Sequence, residues 1–263
     1  ANPNGDPLNG NRPRINYDGH GEISDVCIKR KIRNRLMDMG EPVFVQSDDR
    51  RNDGYKSLQD RAKGCEAVQK AAKDKDAYAK AACEAWTDVR SFGQVFAFKG
   101  EDVSVGVRGP VSVHPAISVD PVDLVSIQIT KSVNSVTESK KSSDTMGMKH
   151  RVPFGLYIFY GSINCQLAEK TGFSREDADK IKEALRTLFE NDASSARPDG
   201  SMEVCKLYWW EHGCKCGQHS SAKVHHSLHV QKKEGVDIPH SFADYVVTLD
   251  PLADLEPEIC DGI

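Results

Sequence analysis

Residues 24–37 read Ser-Asp-Val-Cys-Ile-Lys-Arg-Lys-Ile-Arg-Asn-Arg-Leu-Met, and this stretch predicts a short amphipathic helix. Ser24 suits the N-cap, where its hydroxyl can accept a backbone N–H, and Asp25 follows where the helix dipole favours a carboxylate. Apolar side chains recur every fourth residue at Ile28, Ile32 and Leu36, so one stripe of the helix can pack against a sheet.

The same helix carries five cations on two flanks. At 100° per residue, Lys29, Arg30 and Arg33 share one flank, whereas Lys31 and Arg35 lie on the other. A helix that buries one side and fixes three cations beside it suits a phosphate backbone. Taken alone, such a segment is more often a surface helix with a solvated basic face.

Charge is distributed unevenly along the 263 residues. The chain has 35 basic and 39 acidic residues, and the stretch 234–263 contains eight acids and no Lys or Arg. Residues 1–233 therefore hold all 35 basic residues against 39 − 8 = 31 acids. A basic groove on an otherwise acidic body is compatible with nucleic-acid binding. The length allows one large or two small domains.

Targeting signals and cysteine usage point to the cytoplasm. No run of 18 apolar residues occurs and no signal peptide is recognisable, so we expect no membrane association. The eight cysteines are scattered rather than arranged as a disulfide scaffold, which favours a reducing compartment. The chain opens at Ala1 in a turn-rich segment, which leaves room for an initiator and a first strand ahead of it.

The order of predicted elements indicates an α+β sheet domain with insertions. Residues 1–21 are rich in Gly, Asn and Pro and read as loop, and 42–46 read as a short strand. Residues 58–86 favour helix with a shallow apolar face, and 174–191 form a helix with a capping-box start at Ser174 and Asp177. Strands are expected at 103–113, 122–130, 153–165, 203–210 and 245–249, with a break at 118–121 and a polar hairpin or excursion at 131–151.

Three segments combine Arg with glycine or an aromatic. Arg12 and Arg14 lie in a glycine-rich turn, Arg90 precedes Phe92 in the segment 88–93, and Arg108 stands close between two glycines. Glycine lets backbone and guanidinium approach a ligand closely. Each of these segments alone is more often only a turn.

Longer motifs occur in a fixed order. They are Asn-Pro-Asn-Gly-Asp-Pro (2–7), Arg-Pro-Arg (12–14), Asp-Val-Cys-Ile-Lys-Arg-Lys-Ile-Arg-Asn (25–34), Asp-Val-Arg-Ser-Phe-Gly (88–93), Val-Arg-Gly-Pro-Val (107–111), Met-Gly-Met-Lys-His-Arg-Val-Pro-Phe-Gly-Leu-Tyr (146–157), Leu-Ala-Glu-Lys-Thr-Gly-Phe-Ser (167–174) and Ser-Phe-Ala-Asp-Tyr-Val-Val (241–247). In these motifs the chain closely resembles the repeated backbone subunit of type I-C CRISPR Cascade complexes, within the RAMP superfamily. Met148 and the Cys/His cluster at 212–219 fall outside the resemblance.

The resemblance implies a fold with three parts. The first is a ferredoxin-like, RRM-type palm at 1–46, 99–130 and 153–263. The second is a helical finger insertion at 47–98, and the third is a thumb hairpin at 131–152.

It also implies a non-enzymatic role without a cofactor. Copies of such a subunit polymerise along CRISPR RNA (crRNA) and grip its sugar-phosphate backbone without sequence preference, while the thumb kinks the strand and leaves bases for pairing with target DNA. The implied partners are crRNA, target DNA, further copies of the chain, a cap subunit, and the large and small Cascade subunits.

The residues expected to bind RNA follow from the matched positions. The gripping helix corresponds to Ser24, Lys29, Arg30 and Arg33; further groove candidates are Arg12, Arg14, Arg90, Phe92 and Arg108; the thumb supplies Met146, Lys149 and His150. Met146 suits a wedge between nucleotides, with packing on its own subunit as the alternative, and His150 could equally be a solvated histidine. Replacing Lys29, Arg30 and Arg33 by Ala should flatten the dependence of log affinity on log salt by roughly 2, at about 0.7 per contact.

Two functions of other classes stay open. Asp48, Asp49 and Asp53 precede the finger, where a loop carboxylate with Mg²⁺ could cut RNA as in backbone subunits of type III complexes. A second possibility is a zinc site, because thiolates and imidazoles are zinc ligands. Its candidate ligands are weak, since Cys-x-Cys spacing is unusual: His212, Cys214, Cys216 and His219.

Overall fold

The computed structural model describes residues 1–98, 104–133 and 146–263. Its helices are α1 (Asp25–Asp38), α2 (Leu58–Gly64), α3 (Glu66–Lys70), α4 (Lys75–Ala85), α5 (Thr87–Phe92), α6 (Cys165–Thr171), α7 (Arg175–Arg186) and α8 (Ser221–His226). Its strands are β1 (Gly5–Asp6), β2 (Arg12–Pro13), β3 (His20–Ile23), β4 (Gly93–Phe96), β5 (Val105–Arg108), β6 (Val111–Val113), β7 (Ala116–Pro121), β8 (Val125–Thr130), β9 (Met146–Arg151), β10 (Tyr157–Ile158), β11 (Gly161–Ile163), β12 (Lys206–Trp210), β13 (Leu228–Lys232), β14 (Tyr245–Leu249) and β15 (Pro257–Asp261).

Helix α1 has the predicted start and the predicted buried stripe. The Ser24 hydroxyl accepts the Cys27 N–H at 3.3 Å, which caps the helix. Ile28, Ile32 and Leu36 are buried in the main hydrophobic core, which also includes residues of α7. The helix therefore packs one side into the core, and most of its cations are engaged by other residues of the chain.

The second flank of α1 is used for packing against α7 and the segment after it. Lys31 is buried and pairs with Asp192, and Arg35 donates to the Thr187 hydroxyl at 2.7 Å. These cations are satisfied within the chain, so this flank is not available to a ligand.

A second hydrophobic core lies under α2 to α5. The rings of Phe44 and Trp86 are 4.6 Å apart, and those of Phe44 and Phe96 are 5.0 Å apart. Val68, Ala82 and Val89 complete this core. The helical lobe is thus better packed than its shallow Ala-rich pattern predicts, because Phe44 comes from outside the helices.

The α+β class is confirmed. Among the described residues the strands form one three-stranded sheet, ordered β10-β7-β3, and six two-stranded sheets. β8 pairs antiparallel with β9, and the two strands form a hairpin. β9 falls in the predicted thumb, of which residues 134–145 lie outside the described part of the chain. The domain boundaries, and the single ferredoxin-like palm sheet, stay predictions.

Several predicted strands are wrong in detail. Residues 42–46 form no strand, because the Asp88 carboxylate takes the amides of Phe44 and Val45. The break at 118–121 lies inside β7, since Pro121 ends that strand and its missing N–H costs little there.

The remaining strand differences are smaller. The predicted strand at 103–113 is divided into β5 and β6 by Gly109 and Pro110, and 153–165 is divided into β10 and β11. Residues 1–21, predicted as loop, contain β1, β2 and the start of β3. β4, β13 and β15 were not predicted either, and they pair with β5, β14 and β12 respectively. Within the described ranges, no helix is long and apolar enough to span a membrane.

Candidate nucleic-acid interface

The first group of predicted residues surrounds the N-terminal turn. Strand β2 packs against β9, so Arg12 and Lys149 lie on neighbouring strands. Both side chains are exposed, as is Arg151, and no carboxylate in the described part of the chain pairs with any of the three. This end of the molecule therefore presents a concentration of uncompensated positive charge.

Arg14 lies in the same turn, with a guanidinium that is only partly satisfied. Its Nη2 is 3.6 Å from the Asp6 carboxylate, whereas its buried Nε lacks a hydrogen-bond partner among the described residues. The Arg14 side chain is 36% exposed, so its guanidinium can still donate to a ligand with acceptor oxygens.

The turn is fastened to the start of α1. The Asn4 side-chain oxygen accepts both the N–H and the hydroxyl of Ser24, each at 2.9 Å. The Arg14 N–H in turn donates to the Asn4 carbonyl at 3.0 Å. Because Ser24 also caps α1, the hydrogen bonds of Asn4 hold Arg14 in a fixed relation to the helix.

The predicted flank of α1 is engaged by the protein itself. Lys29 pairs with Asp25 at 3.0 Å, and the Arg30 guanidinium donates to the Val45 carbonyl at 2.6 Å. Burial, followed by the nearby Arg33 charge, lowers the pKa of Arg30 from its ordinary value. Lys29 is partly exposed and its ion pair is an ordinary i,i+4 helix pair, so Lys29 is the most available cation of the flank.

Arg33 contributes to a buried polar cluster around Asp88. Its Nε donates to the Asp88 carboxylate at 2.9 Å, and that carboxylate also accepts the amides of Phe44 at 2.6 Å and Val45 at 3.1 Å. The Arg33 guanidinium lies 5.0 Å from the centre of the Phe92 ring, within cation–π range. Arg33 therefore joins α1 to α5.

Arg90 makes an equivalent connection to α7. Its Nε and Nη2 donate to the two carboxylate oxygens of Asp177 at 2.8 and 2.7 Å. Burial acts to raise the pKa of Asp177, but hydrogen bonds from Arg90 and from the Ser174 amide outweigh it and hold that pKa below its ordinary value. Asp177 is also the capping-box residue of α7, so one side chain serves both the helix and the ion pair.

The segments 88–93 and 107–110 meet through two glycines. Gly93 has φ +81°, and a Cβ on it would lie 2.3 Å from the Val107 carbonyl oxygen; a Cβ on Gly109 would lie 2.2 Å from that of Ser91. Only glycine permits this approach. It places Arg108 opposite Gly93 in the β4–β5 ladder, exposed and without an ion pair among the described residues.

The β8–β9 hairpin separates the predicted thumb residues onto two faces. In its register Lys149 is opposite Ile127, whereas Met146 is opposite Thr130 and His150 is opposite Ser126. Alternation along β9 therefore places Met146 and His150 on one face and Lys149 on the other. Met146 is 64% exposed, and its sulfur accepts a hydrogen bond from the Gln128 side-chain amide at 2.6 Å.

The His150 side chain also has a partner in the hairpin, because its Nδ1 lies 2.7 Å from the Ser126 hydroxyl.

The three aspartates of the ribonuclease alternative lie in different environments. Asp53 is engaged by Arg61, whose Nη2 lies 3.0 Å from it, and this hydrogen bond lowers the pKa of Asp53. Asp48 is exposed with Arg51 at 3.7 Å, and a hydrogen bond from Ser47 lowers the pKa of Asp49.

The Cys/His cluster forms hydrogen bonds rather than a compact donor set. The His212 Nδ1 accepts the Gln218 amide at 3.0 Å, and the His219 Nε2 donates to the Ala253 carbonyl at 2.9 Å. Cys214 and Cys216 are exposed free thiols. In the described ranges no three His, Cys, Asp or Glu side chains are grouped so as to hold a metal ion.

The structure thus brings the predicted residues together in two places. Around the N-terminal turn lie Arg12, Arg14, Ser24 and Lys149, and around α5 lie Arg30, Arg33, Phe92 and Arg108. Sequence reasoning missed Arg151, although it is two residues from Lys149 on the same strand face. It also missed Asp88 and Asp177 as partners of Arg33 and Arg90, although the capping box had already identified Asp177.

The chain is similar to known proteins. A family model described as CRISPR-associated protein Cas7 matches residues 1–250. CRISPR-associated protein Cas7 of Haloferax volcanii is 28% identical over 214 residues, which cover 74% of this chain and 62% of that relative. The chain therefore spans less than two thirds of the relative's length. A chain of a solved CRISPR RNA-guided surveillance complex, pre-nicking, matches with a TM-score of 0.46 and 17% identity over 74% of this chain and 72% of that one.

Proposed function

Because the chain belongs to the CRISPR-associated protein Cas7 family, we propose that it is the non-catalytic backbone subunit of a type I-C CRISPR interference complex. In this role it polymerises along crRNA, binds the sugar-phosphate backbone without sequence preference, and leaves bases free to pair with target DNA. Its partners are crRNA, target DNA, further copies of itself, and the cap, large and small subunits.

One observation carries the proposal: the uncompensated cations around the N-terminal turn. Arg12, Lys149 and Arg151 come from two neighbouring strands, and the partly unsatisfied Arg14 lies beside them. Phosphate oxygens supply both the negative charge and the hydrogen-bond acceptors that this arrangement lacks. No base-reading geometry is required, in keeping with a subunit that binds any guide.

The other predicted residues divide into contact and positioning roles. Arg108 and Lys29 extend the phosphate-binding surface, and Ser24 fixes the turn to α1. Arg33, Arg90 and Phe92 hold the helical lobe on α1 and α7, because their charged or aromatic groups are already engaged by other residues.

The remaining contacts are assigned to the hairpin and the start of the helical lobe. Met146 wedges between nucleotides, and His150 lies on the same face of the hairpin. Arg30 lies at the start of the helical lobe, where its guanidinium donates to the Val45 carbonyl.

The cytoplasm is the proposed location. All eight cysteines are free thiols, and Cys214 and Cys216 are exposed. Exposed thiols persist in a reducing compartment and oxidise outside it.

Purification with the operon partners and a CRISPR array tests the proposal. The expected result is a protected guide RNA of uniform length, which is lost on raising salt in a variant with Arg12, Arg108 and Lys149 replaced by Ala. A matched control replaces Lys70, Lys80 and Lys215, three exposed lysines that are each paired with a Glu. Heterogeneous cellular RNA, or no RNA, from the unmodified protein would overturn the assignment.

A further inference from the structure

Three of the eight cysteines are exposed, and none of them belongs to the proposed RNA surface. Cys165 is the first residue of α6, whereas Cys214 and Cys216 lie in the loop 211–220 between β12 and α8. All three line the same cavity beside α6. Exposed thiols that lie close together in a reducing compartment are candidates for reversible oxidation.

The loop 211–220 contains a tight turn that carries one of these thiols at its tip. The Gly217 N–H donates to the Cys214 carbonyl at 3.0 Å, which closes a four-residue turn. Gly217 has φ +78°, a conformation that glycine adopts without strain. Lys215 and Cys216 are therefore the two central residues of the turn, and both are exposed.

The tip of this loop contacts the start of α6. Lys215 pairs with Glu169, and the Gln166 side-chain amide lies 4.0 Å from the Cys216 sulfur. The hydrogen bond to Glu169 raises the pKa of Lys215, and the nearby Cys165 adds to the same shift. Cys165 directly precedes Gln166 and lies about one helical turn before Glu169. The loop tip thus touches the helix on both sides of Cys165, with only one layer of side chains between them.

The other five cysteines are buried or half-buried, and they are poor partners for an oxidant. Burial raises the pKa of Cys27, Cys83 and Cys205. The thiolate, and not the thiol, attacks an oxidant, so a raised pKa slows oxidation. Oxidation of the folded chain should therefore begin at the three exposed thiols.

We propose that Cys165 and Cys216 form a reversible oxidation site, at which a peroxide joins the two thiols in a disulfide between α6 and the loop 211–220. One thiolate attacks a peroxide oxygen and becomes a sulfenic acid as the O–O bond breaks, and the second sulfur then displaces water from it. Two thiols and one hydrogen peroxide thus give one disulfide and two waters. Cys216 is the partner of Cys165 because its sulfur contacts α6 through Gln166. A small thiol reverses the reaction by exchange.

The disulfide would tie three segments of the chain together. The base of the loop is already joined to residues 253–254, because the Gln218 side chain donates to the Asp254 carbonyl at 2.6 Å and His219 donates to the Ala253 carbonyl at 2.9 Å. A bond at the tip adds α6 to this group and closes a loop of about 50 residues. The oxidised chain should therefore melt about 5–15 °C above the reduced chain.

Peptide mapping of the oxidised 263-residue chain shows which thiols are joined. The reduced protein is treated with a small excess of hydrogen peroxide, its remaining thiols are blocked with a maleimide, and the chain is digested with trypsin. Cleavage after Lys215 separates Cys214 from Cys216, so the three possible pairs give three different linked peptides. The expected product joins the peptides 152–170 and 216–223, comes from the monomer band of a non-reducing gel, and disappears on adding dithiothreitol.

Two matched variants complete the test. Cys216→Ser should abolish both the link and the rise in melting midpoint, whereas Cys214→Ser, which changes an exposed thiol two residues away, should keep both. A link between the peptides 207–215 and 216–223, a link from Cys165 to Cys214, or a linked product confined to a covalent dimer would overturn the proposal. Peroxide treatment that yields only unlinked peptides, or a link that leaves the melting midpoint unchanged, would overturn it as well.

Discussion

The Nε of Arg33 donates to the carboxylate of Asp88 at 2.9 Å, and no part of the Asp88 side chain is exposed. Arg33 belongs to α1, which packs in the main hydrophobic core, and Asp88 belongs to α5, the last helix of the helical lobe. The pair therefore fixes the relation between the two hydrophobic cores.

Removing the charge of Asp88 should be costly. Asp88→Asn keeps the volume but leaves Arg33 without its counter-charge, and breaking a buried pair in this way typically lowers the free energy of unfolding by about 3–5 kcal/mol. Denaturant unfolding monitored by the intrinsic fluorescence of the three tryptophans would measure this change. The control is Asp48→Asn, whose side chain is 90% exposed and which should change stability by less than about 0.5 kcal/mol. Equal stability of the two variants would contradict a structural role for the pair.

The Arg90–Asp177 pair should give an acid-sensitive contribution to stability. The pKa of Asp177 is lowered in the fold from 3.8, so the stabilisation is fully present above that value and is lost as pH falls through the lower, folded-state pKa. Asp177→Asn should therefore be less stable than the parent at pH 7, and the difference should shrink as the pH falls below 3.8 towards the lower, folded-state pKa. Unfolding free energies measured at several pH values would show this convergence. Asp179→Asn, an exposed change on the same helix, should run parallel to the parent.

Gly93 should not tolerate a side chain. Gly93→Ala imposes a left-handed conformation on Ala, at about 1–2 kcal/mol, and places its Cβ against the Val107 carbonyl oxygen. The melting midpoint should fall by at least several degrees. Gly106→Ala is the matched control. Gly106 lies on the neighbouring strand β5, and a Cβ on it would meet nothing within 4 Å. A Gly93→Ala protein as stable as Gly106→Ala would show that the β4–β5 junction is not tight.

Salt dependence should distinguish phosphate contacts from positioning residues. Replacing Arg12, Arg108 and Lys149 by Ala should reduce the slope of log affinity against log salt by about 2, at roughly 0.7 per contact on single-stranded RNA. Asp88→Asn, which disturbs Arg33 without removing a cation, should leave that slope unchanged. Titration of a labelled single-stranded RNA at four salt concentrations is sufficient. An unchanged slope in the triple variant would remove these residues from the phosphate surface.

The rate at which each cysteine is labelled should depend on the exposure of its thiol and not on a bound metal ion. Cys165, Cys214 and Cys216 are exposed, whereas burial raises the pKa of Cys83 to about 11. An aromatic disulfide reagent at pH 8 should label the first three rapidly and Cys83 only on unfolding. Added zinc should not slow labelling of Cys214 and Cys216, and protection of both thiols by equimolar zinc would establish the metal site that their hydrogen-bonded neighbours argue against.

Local patterns in the sequence predicted what depends on local physics. The cap at Ser24, the buried stripe of α1 and the capping box of α7 were all legible, because each is decided within a few residues. Arg33 and Asp88 are 55 positions apart in the sequence, and Arg90 and Asp177 are 87 apart. No periodicity in the sequence predicts contacts over such separations. For the same reason 42–46 were mistaken for a strand, since a distant carboxylate takes their amides.

The motif order predicted the family, but it could not separate contact from support. Arg33 and Arg90 have the same side chain as Arg12 and Arg108, and only burial and partners distinguish them. The hairpin likewise places Lys149 and Met146 on opposite faces, which follows from register rather than from composition.

The two ion pairs that hold α5, Arg33–Asp88 and Arg90–Asp177, also constrain how the sequence of this protein can diverge. Asp88 and Arg90 lie on the helical lobe, while Arg33 and Asp177 lie on α1 and α7. A change in one member therefore leaves its distant partner without a counter-charge. These four positions should therefore be inherited as a set. A helical lobe transplanted from a relative would dock only if the recipient chain already carried the matching arginine on α1 and aspartate on α7. The two ion pairs therefore decide which lobes can be exchanged between such proteins.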